Sequence, residues 1–324
     1  MNQVNEMLDR VSRTFALSIK FLPRILSSSV GLAYLLFRVS DCLEDHPDLD
    51  VNQKVMLLEL WAQILDGSVR VEELIERITD LDNADPEVYV AQHADELIAY
   101  LQVMPPELQK FMTQRCAQTS RGMARWQRQG PFIETVEEMD DYMHQVAGRV
   151  GYLLTDIFAW YSTPIRQHKA ELLPLAREFG LGLQTVNILR GLRKDYERGW
   201  MFVPRTYLDQ VGITRDQFFS AQHEDEAFHV VSMLADKSEE HLRHSLAYIA
   251  AFPRHLQRIR LACMWPLFFA VKTLAICSTN IEVIRDEVKI TRRDIQDIMR
   301  QTTLMGWSNR WVYRYYEELS YQQA

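Results

Sequence analysis

Val30-Gly31-Leu32-Ala33-Tyr34-Leu35-Leu36-Phe37-Arg38-Val39-Ser40-Asp41-Cys42-Leu43-Glu44-Asp45 is apolar on nearly every side as far as Phe37 and then turns acidic. A segment that is hydrophobic all round belongs in a core, so the stretch predicts a central helix over 28–45. On that helix Asp41 and Asp45 are four apart and Glu44 is three from Asp41, which puts all three carboxyls on one face, with Arg38 one turn before Asp41. Like charges at this spacing repel and raise a carboxyl pKa unless a cation sits among them. Mg²⁺ bridging to a phosphate is such a cation, and Arg38 offers the same phosphate a planar donor fork. A solvated acidic helix end is the other reading. Against it, the cluster closes a helix expected to be buried, where unpaired ionised groups are costly.

The rest of the chain is compatible with such a core. It has 324 residues, 47% hydrophobic and 25% charged, with only 12 Gly and 11 Pro, and its apolar residues recur at the helical period. Together these predict an all-α protein, and with no linker in view, a single domain over 1–324. A net charge of −8 excludes a general nucleic-acid surface, which needs a positive field. Cys42, Cys116, Cys263 and Cys277 show neither CxxC spacing nor a pairing pattern and read as reduced thiols. The first residues, Met1-Asn2-Gln3-Val4-Asn5-Glu6, lack the basic and apolar regions of a signal peptide, so the expected location is cytoplasmic. The stretch 261–277 contains Pro266 and Lys272 and is short of the roughly 20 apolar residues of a membrane span, which makes it a core helix.

Further helices are expected over 3–21, 53–65, 88–102, 106–128, 136–161, 172–195 and 252–280, with an aromatic one over 307–321. Within the first, Ser12-Arg13-Thr14-Phe15 places two hydroxyls and a guanidinium side by side, facing solvent or a ligand. Arg121, Arg125 and Arg128 read as a solvated basic face. Thr135-x-x-Glu138 is a capping box, and Thr291 is a second cap. In the helix that Thr135 opens, Tyr142 and Arg149 share a face, His144 reads as structural, and Ala147, Gly148 and Gly151 allow a neighbouring helix or a flat apolar ligand to come close. In 172–195, Gln184, Asn187, Gly191 and Asp195 fall on one face with Arg190 and Lys194 beside them. That polar line is either a second half-site for a metal-bound phosphate or a stripe packed on surface loops. His241 and His244 are three apart, not the four typical of a zinc helix, and carry no metal expectation.

Five pieces, in order, resemble the squalene/phytoene synthase family, the head-to-head trans-isoprenyl diphosphate synthases. They are Ser12-Arg13-Thr14-Phe15, the segment Tyr34-x-x-x-Arg38-x-x-Asp41-x-x-Glu44-Asp45, Tyr142 through Gly151, Gln184-x-x-Asn187-Ile188-x-Arg190 on to Asp195, and Pro266 with Lys289-Ile290. The last piece is closer in character to squalene synthases than to phytoene synthases. The resemblance implies an all-α isoprenoid synthase fold around a central apolar cavity, with two acidic motifs and Mg²⁺ holding diphosphates. It implies that two farnesyl diphosphates join through presqualene diphosphate and that a hydride from NADPH quenches the last cation. Carried over residue by residue, Asp41, Asp45, Tyr142 and Asp195 are expected in catalysis, and Asp41, Glu44, Asp45, Asn187 and Asp195 at the metal. Ser12, Arg13, Thr14, Phe15, Tyr34, Arg38, Gln184, Asn187 and Arg190 are expected on the substrate, and Lys289 and Arg292 on NADPH. The rings of Phe15, Tyr34 and Tyr142 suit a carbocation, and an apolar surround keeps water from it. Peripheral membrane contact for product release and a monomer or homodimer complete the expectation.

The sequence also departs from the family pattern. Gly191 stands where the second motif has an Asp, Lys194 where an acid precedes Asp195, Trp200 where an Arg is common, and Gln145 where squalene synthases of eukaryotes have a Tyr. Arg149 is unusual in its motif. The first motif is therefore expected to hold more of the Mg²⁺, with Lys194 meeting the diphosphate. Other outcomes in keeping with the resemblance are a product that stops at presqualene diphosphate or hydroxysqualene, a phytoene-type product, or a non-catalytic homologue that binds prenyl diphosphates.

Overall fold

The computed structural model describes residues 2–12 and 14–321, and only the backbone of Asn2, Gln3 and Thr14. Arg13 and the Thr14 side chain, both expected on the substrate, lie outside the described residues. The described chain is all helix and loop, with one isolated parallel bridge between Phe132 and Met201. It divides into two compact units, Met1–Gly130 with Tyr152–Lys169 and Pro131–Gly151 with Ala170–Ala324.

The first unit opens with α1 (Asn2–Val11) and α2 (Thr14–Phe21), two helices where the apolar stripe predicts one. The break has a local cause. Ser12 ends the first helix by donating its N–H to Leu8 O at 3.0 Å and starts the next by accepting the Ala16 N–H on Oγ at 3.2 Å, the usual competition of a short hydroxyl with the helical ladder. Next come α3 (Arg24–Asp45), α4 (Val51–Leu65), α5 (Glu72–Arg77), α6 (Pro86–Gln92), α7 (Ala94–Gln102) and α8 (Pro106–Gln129). The expected helix over 88–102 is likewise split at His93, whose ring Nδ1 lies 2.8 Å from Tyr89 O. α4 begins earlier than expected because Asp50 and Gln53 form a reciprocal capping box.

α3 is central, as its composition predicts. It packs on α1, α2, α4, α6, α7 and α8, and Leu26, Leu32, Leu35, Leu36, Val39 and Leu43 are sealed from solvent. Ser40 and Ser120 join α3 to α8 through a buried 2.7 Å hydrogen bond, and Trp61 of α4 donates to Leu36 O. The arginine face of α8 is exposed, as expected, and two of its residues make surface ion pairs toward α4 and its end. Arg121 pairs with Asp66, and Arg128 lies 2.5 Å from Glu59.

The second unit takes α9 (Val136–Met143), then passes through a π-helical turn, His144–Gly148, before α10 (Arg149–Tyr161) and α11 (Thr163–Gln167) carry the chain back to the first. The expectation of one regular helix over 136–161 is thereby corrected. A π turn holds an extra residue and shifts the phase, so Arg149 does not return to the Tyr142 face; it donates to Gln145 at 2.9 Å. The long α12 (Lys169–Glu197) crosses this turn closely enough that a Cβ on Gly180 would sit 2.5 Å from Ala147 O, and one on Gly151 2.2 Å from Ala176 O. The small residues thus admit a helix.

α13 (Arg205–Val211), α14 (Glu224–Ala251), α15 (Gln257–Cys277), α16 (Arg292–Met305) and α17 (Asn309–Tyr321) complete the unit. The core helix expected over 252–280 is shorter, because Phe252–Leu256 is a loop. That loop is tied down by Arg260, fully buried, which donates to Ile249 O, Phe252 O, Gly306 O and Asn309 Oδ1. By length and composition α3 and α15 are each apolar enough to cross a membrane, and most of each apolar window, 67% and 78%, is buried in protein. Thr291 caps α16 with Asp294 as its reciprocal partner.

Candidate active site

The acidic turn of α3 is built on a helix that has no room to move. Arg38 lies on its half-exposed side and donates from Nη1 to Asp41 Oδ2 at 2.8 Å, while Nη2 pairs with Glu87 of α6. Its Nε is buried without a hydrogen-bond partner among the described residues, so the fork has a donor left over. Asp41 keeps 30% of its side chain exposed. Even so its pKa is pushed up to about 6, first by burial of the carboxyl and then by Asp45, against the pull of Arg38.

Glu44 turns to the packed side, buried with Gln127 of α8 and Lys54 of α4 as polar neighbours. Burial, then Asp45 and Asp41, pushes its carboxyl well above the usual range, and its Oε1 has no hydrogen-bond partner among the described residues. Such an arrangement is unstable toward ionisation and stable toward a cation. Near it, Phe15 of α2 and Tyr34 of α3 have ring centroids 6.1 Å apart, and burial raises the pKa of the Tyr34 phenol above its ordinary value despite Arg38 and Ser12.

Among the described residues no group of three or more His, Cys, Asp or Glu is arranged to hold a metal ion by itself. Mg²⁺ seldom uses such a cage. It takes one or two carboxylates and completes its octahedron with water and substrate phosphate. Asp41 and Asp45, with hard oxygen donors one turn apart and a raised Asp41, fit that pattern, and the unpartnered Glu44 oxygen adds to the demand for positive charge.

In the second unit Gln184, Asn187, Gly191 and Asp195 do lie on a side of α12 apart from its buried stripe of Leu181, Thr185, Ile188 and Leu192. Asn187 donates to Gln184 at 3.4 Å, and Asp195 Oδ1 accepts from Arg198 at 2.8 Å. Glu287, which no local pattern singles out, lies 3.1 Å from Lys194 Nζ, 2.8 Å from Lys289 Nζ and 3.9 Å from Arg190 Nε. Lys289, expected on NADPH, pairs with this carboxylate while its side chain stays mostly exposed, and Arg292 is exposed in the first turn of α16.

Tyr142 is buried, and its ring stacks on Phe202 at 4.6 Å, while Trp200 lies 5.4 Å from Phe202 and 6.5 Å from Tyr142, so the three near-parallel rings form one cluster. Trp200 and Phe202 also line a small cleft with Ile188, Leu192, Asp195 and Phe219. The chain reaches that cleft through Gly199, whose φ of +84° is open to glycine at no steric cost. Beyond Tyr142, this cluster of three rings beside a carboxylate has little signature in the sequence. The alternation Trp200-Met201-Phe202 was its only trace in the sequence.

These features were compared with known proteins. The squalene synthase of Rattus norvegicus is 26% identical over 314 residues, covering 96% of this chain and 72% of the rat protein. The squalene synthase of Eremothecium gossypii is 28% identical over 300 residues, covering 89% of this chain and 64% of the fungal one. A probable squalene synthase of Neurospora crassa is 27% identical, and the match covers 60% of its length, so this chain spans less than two thirds of both fungal relatives. Among solved structures, TcSQS in complex with the ligand BPH1237 superposes with a TM-score of 0.84 at 22% identity, over 100% of this chain and 93% of that one. A dehydrosqualene synthase in complex with ligand gives 0.66 at 18%, over 94% and 95%. The all-α fold is theirs. Residues 8–294 match the squalene/phytoene synthase family, and the chain belongs to it.

Proposed function

We propose that this protein is a squalene synthase, condensing two farnesyl diphosphates head to head through presqualene diphosphate with Mg²⁺ and NADPH. The observation that carries the reading is the turn of α3. There Asp41, raised to about 6, stands one helical turn from Asp45 beside an arginine with an unused buried donor, an array that calls for a cation and an anion together. Asp41 and Asp45 would hold the Mg²⁺. When bound, the ion neutralises charge that develops on a departing diphosphate. Arg38 orients the phosphate with its remaining N–H. Within the first unit Phe15 and Tyr34 present ring faces of the kind that stabilises a carbocation, and within the second the buried Tyr142 does so with Phe202 and Trp200.

Gln184, Asn187 and Arg190 are proposed to bind substrate, with Asp195 beside them in catalysis. Arg292 and Lys289 are cations of the kind that meets a dinucleotide phosphate, and NADPH would supply the hydride that ends the reaction. Exposed Leu304 and Trp307 at the end of α16, 67% and 53% accessible, are the place we assign to peripheral membrane contact. A cytoplasmic monomer or homodimer remains part of the proposal.

Purified protein incubated with farnesyl diphosphate, Mg²⁺ and NADPH should release diphosphate and yield a C30 hydrocarbon, read by chromatography and mass spectrometry. Absence of both products sinks the reading. A C30 alcohol or a cyclopropyl diphosphate that is unchanged when NADPH is omitted would shorten the reaction to its first half. The loss of acids at Gly191 and Lys194 favours one other reading, a homologue that binds prenyl diphosphates without turnover.

A further inference from the structure

The end of α12 does not fit a divalent cation. Gly191 offers no ligand, the Asp195 carboxylate is engaged by Arg198, and Lys194 places a positive charge within one turn of Asp195. What is gathered there instead is cationic. Lys194, Lys289 and Arg190 share one carboxylate, Glu287.

Their geometry separates an inner from an outer part. Glu287 has 14% of its side chain exposed, whereas Arg190 and Lys194 have 43% and 69%. Lys289 makes the shortest of the three contacts, 2.8 Å, and one ammonium suffices to neutralise one carboxylate. Arg190, at 3.9 Å, is beyond hydrogen-bond length. Two positive charges are therefore surplus. They sit four apart on one helix face, where like charges disfavour each other until an anion joins them. Gly191 lies between them without a side chain. A Cβ there would meet nothing closer than Asp195 Oδ2 at 3.4 Å, so the surface between the two cations is open.

We propose that Arg190 and Lys194 bind the diphosphate of a prenyl substrate directly, without a divalent ion, and that Glu287, neutralised by Lys289, serves as their counter-ion until the ligand arrives. The choice of a prenyl ligand rests on the proposed function; the anion site itself rests on the charges just described. An ammonium and a guanidinium fork are suited to adjacent phosphate groups, the first as a point charge and the second as a planar donor pair.

The test is calorimetric titration of inorganic pyrophosphate into the full chain in EDTA at low ionic strength. Wild type should bind without Mg²⁺ and more weakly as salt is added. Lys194→Ala and Arg190→Ala should each lose about tenfold or more in affinity, the weight of a charge-assisted hydrogen bond, while Lys194→Arg largely retains it. Arg314→Ala, an exposed cation on α17, should bind as wild type does. The double variant G191D/K194E should bind pyrophosphate only when Mg²⁺ is restored. Wild type that binds only with Mg²⁺, or Lys194→Ala and Arg190→Ala that match wild type in EDTA with unchanged melting, overturns the proposal. Since no turnover is measured, a chain that passes this test yet makes no C30 product would refute the proposed reaction and leave the anion site standing.

Discussion

The turn of α3 and the end of α12 handle charge in opposite ways. On α3 the acids outnumber the base within reach, and burial and mutual repulsion push Asp41 up to about 6 and Glu44 well above its usual range. At α12 the bases outnumber the acid. Burial works against ionised Glu287, but Lys289 and Lys194 still hold its carboxyl below the ordinary value. A site with too little positive charge calls for a cation, and one with too much calls for an anion. Family resemblance alone would assign both regions to Mg²⁺; their different side-chain partners are what support proposing different ligands for them.

The largest effect that tests this contrast is expected from Asp41→Asn. If the carboxylate works by holding Mg²⁺ on the diphosphate, diphosphate release should fall by at least about a hundredfold, the usual scale for removing one preorganised electrostatic contact. The fold should not suffer. An amide at a place where a carboxylate is disfavoured relieves repulsion with Asp45, so the metal-free variant should melt no lower than wild type. Full activity would remove Asp41 from the site, and a large loss of stability would mean that its role is structural.

Much of this was legible from local pattern. The apolar run before Arg38 gave α3 and its central place, the 3-4-4 spacing put Gln184 to Asp195 on one face, and Thr291 was readable as a cap. What escaped has physical causes. Asp50-x-x-Gln53 carries the same capping signal as Thr135-x-x-Glu138, and it opens α4 at Val51, two residues ahead of the expected start. Thr135 keeps only half its box, since Glu138 reaches back to the Glu134 N–H instead. The π turn changes no composition, only a hydrogen-bond register set by a helix crossing it. Glu287 lies 93 residues from Lys194, and no period along one helix can reveal a partner on another segment.

The two glycines of α12 sharpen the contrast at a smaller scale. Gly180 is pressed onto the backbone of the π turn, with Ala147 O and the Gly148 Cα within 2.9 Å of where a Cβ would go. Backbone cannot rotate aside, so Gly180→Ala should cost about 2–3 kcal/mol as overpacking, read as a lower urea midpoint at unchanged slope. Gly191 has space, and Gly191→Ala should gain up to about 1 kcal/mol of helix stability. Equal effects at the two sites would contradict the close crossing of α12 over the π turn.

The smallest effect concerns how that crossing is held. His241 of α14 is buried, with Nδ1 2.6 Å from Glu178 of α12 and Nε2 3.8 Å from Asp140 of α9, a charge contact too long for a hydrogen bond. Lys237 also reaches Asp140 at 2.7 Å, Arg177 reaches Glu178 at 2.6 Å, and the Tyr207 phenol of α13 feels Asp140. Burial and Lys237 disfavour the imidazolium, yet the two carboxylates outweigh them and raise the His241 pKa, while both carboxyls are lowered. A histidine raised on folding contributes its full stability below its unfolded pKa of about 6.5 and loses it as pH rises through the higher folded value. His241→Gln keeps a polar side chain but no charge. It should cost about 1–2 kcal/mol near pH 6, and the gap to wild type should narrow as pH climbs past neutrality. Melting curves of both proteins across that range decide the matter. A gap that stays constant with pH would mean that His241 is neutral in the folded chain and that Lys237 and Arg177 alone balance the two acids.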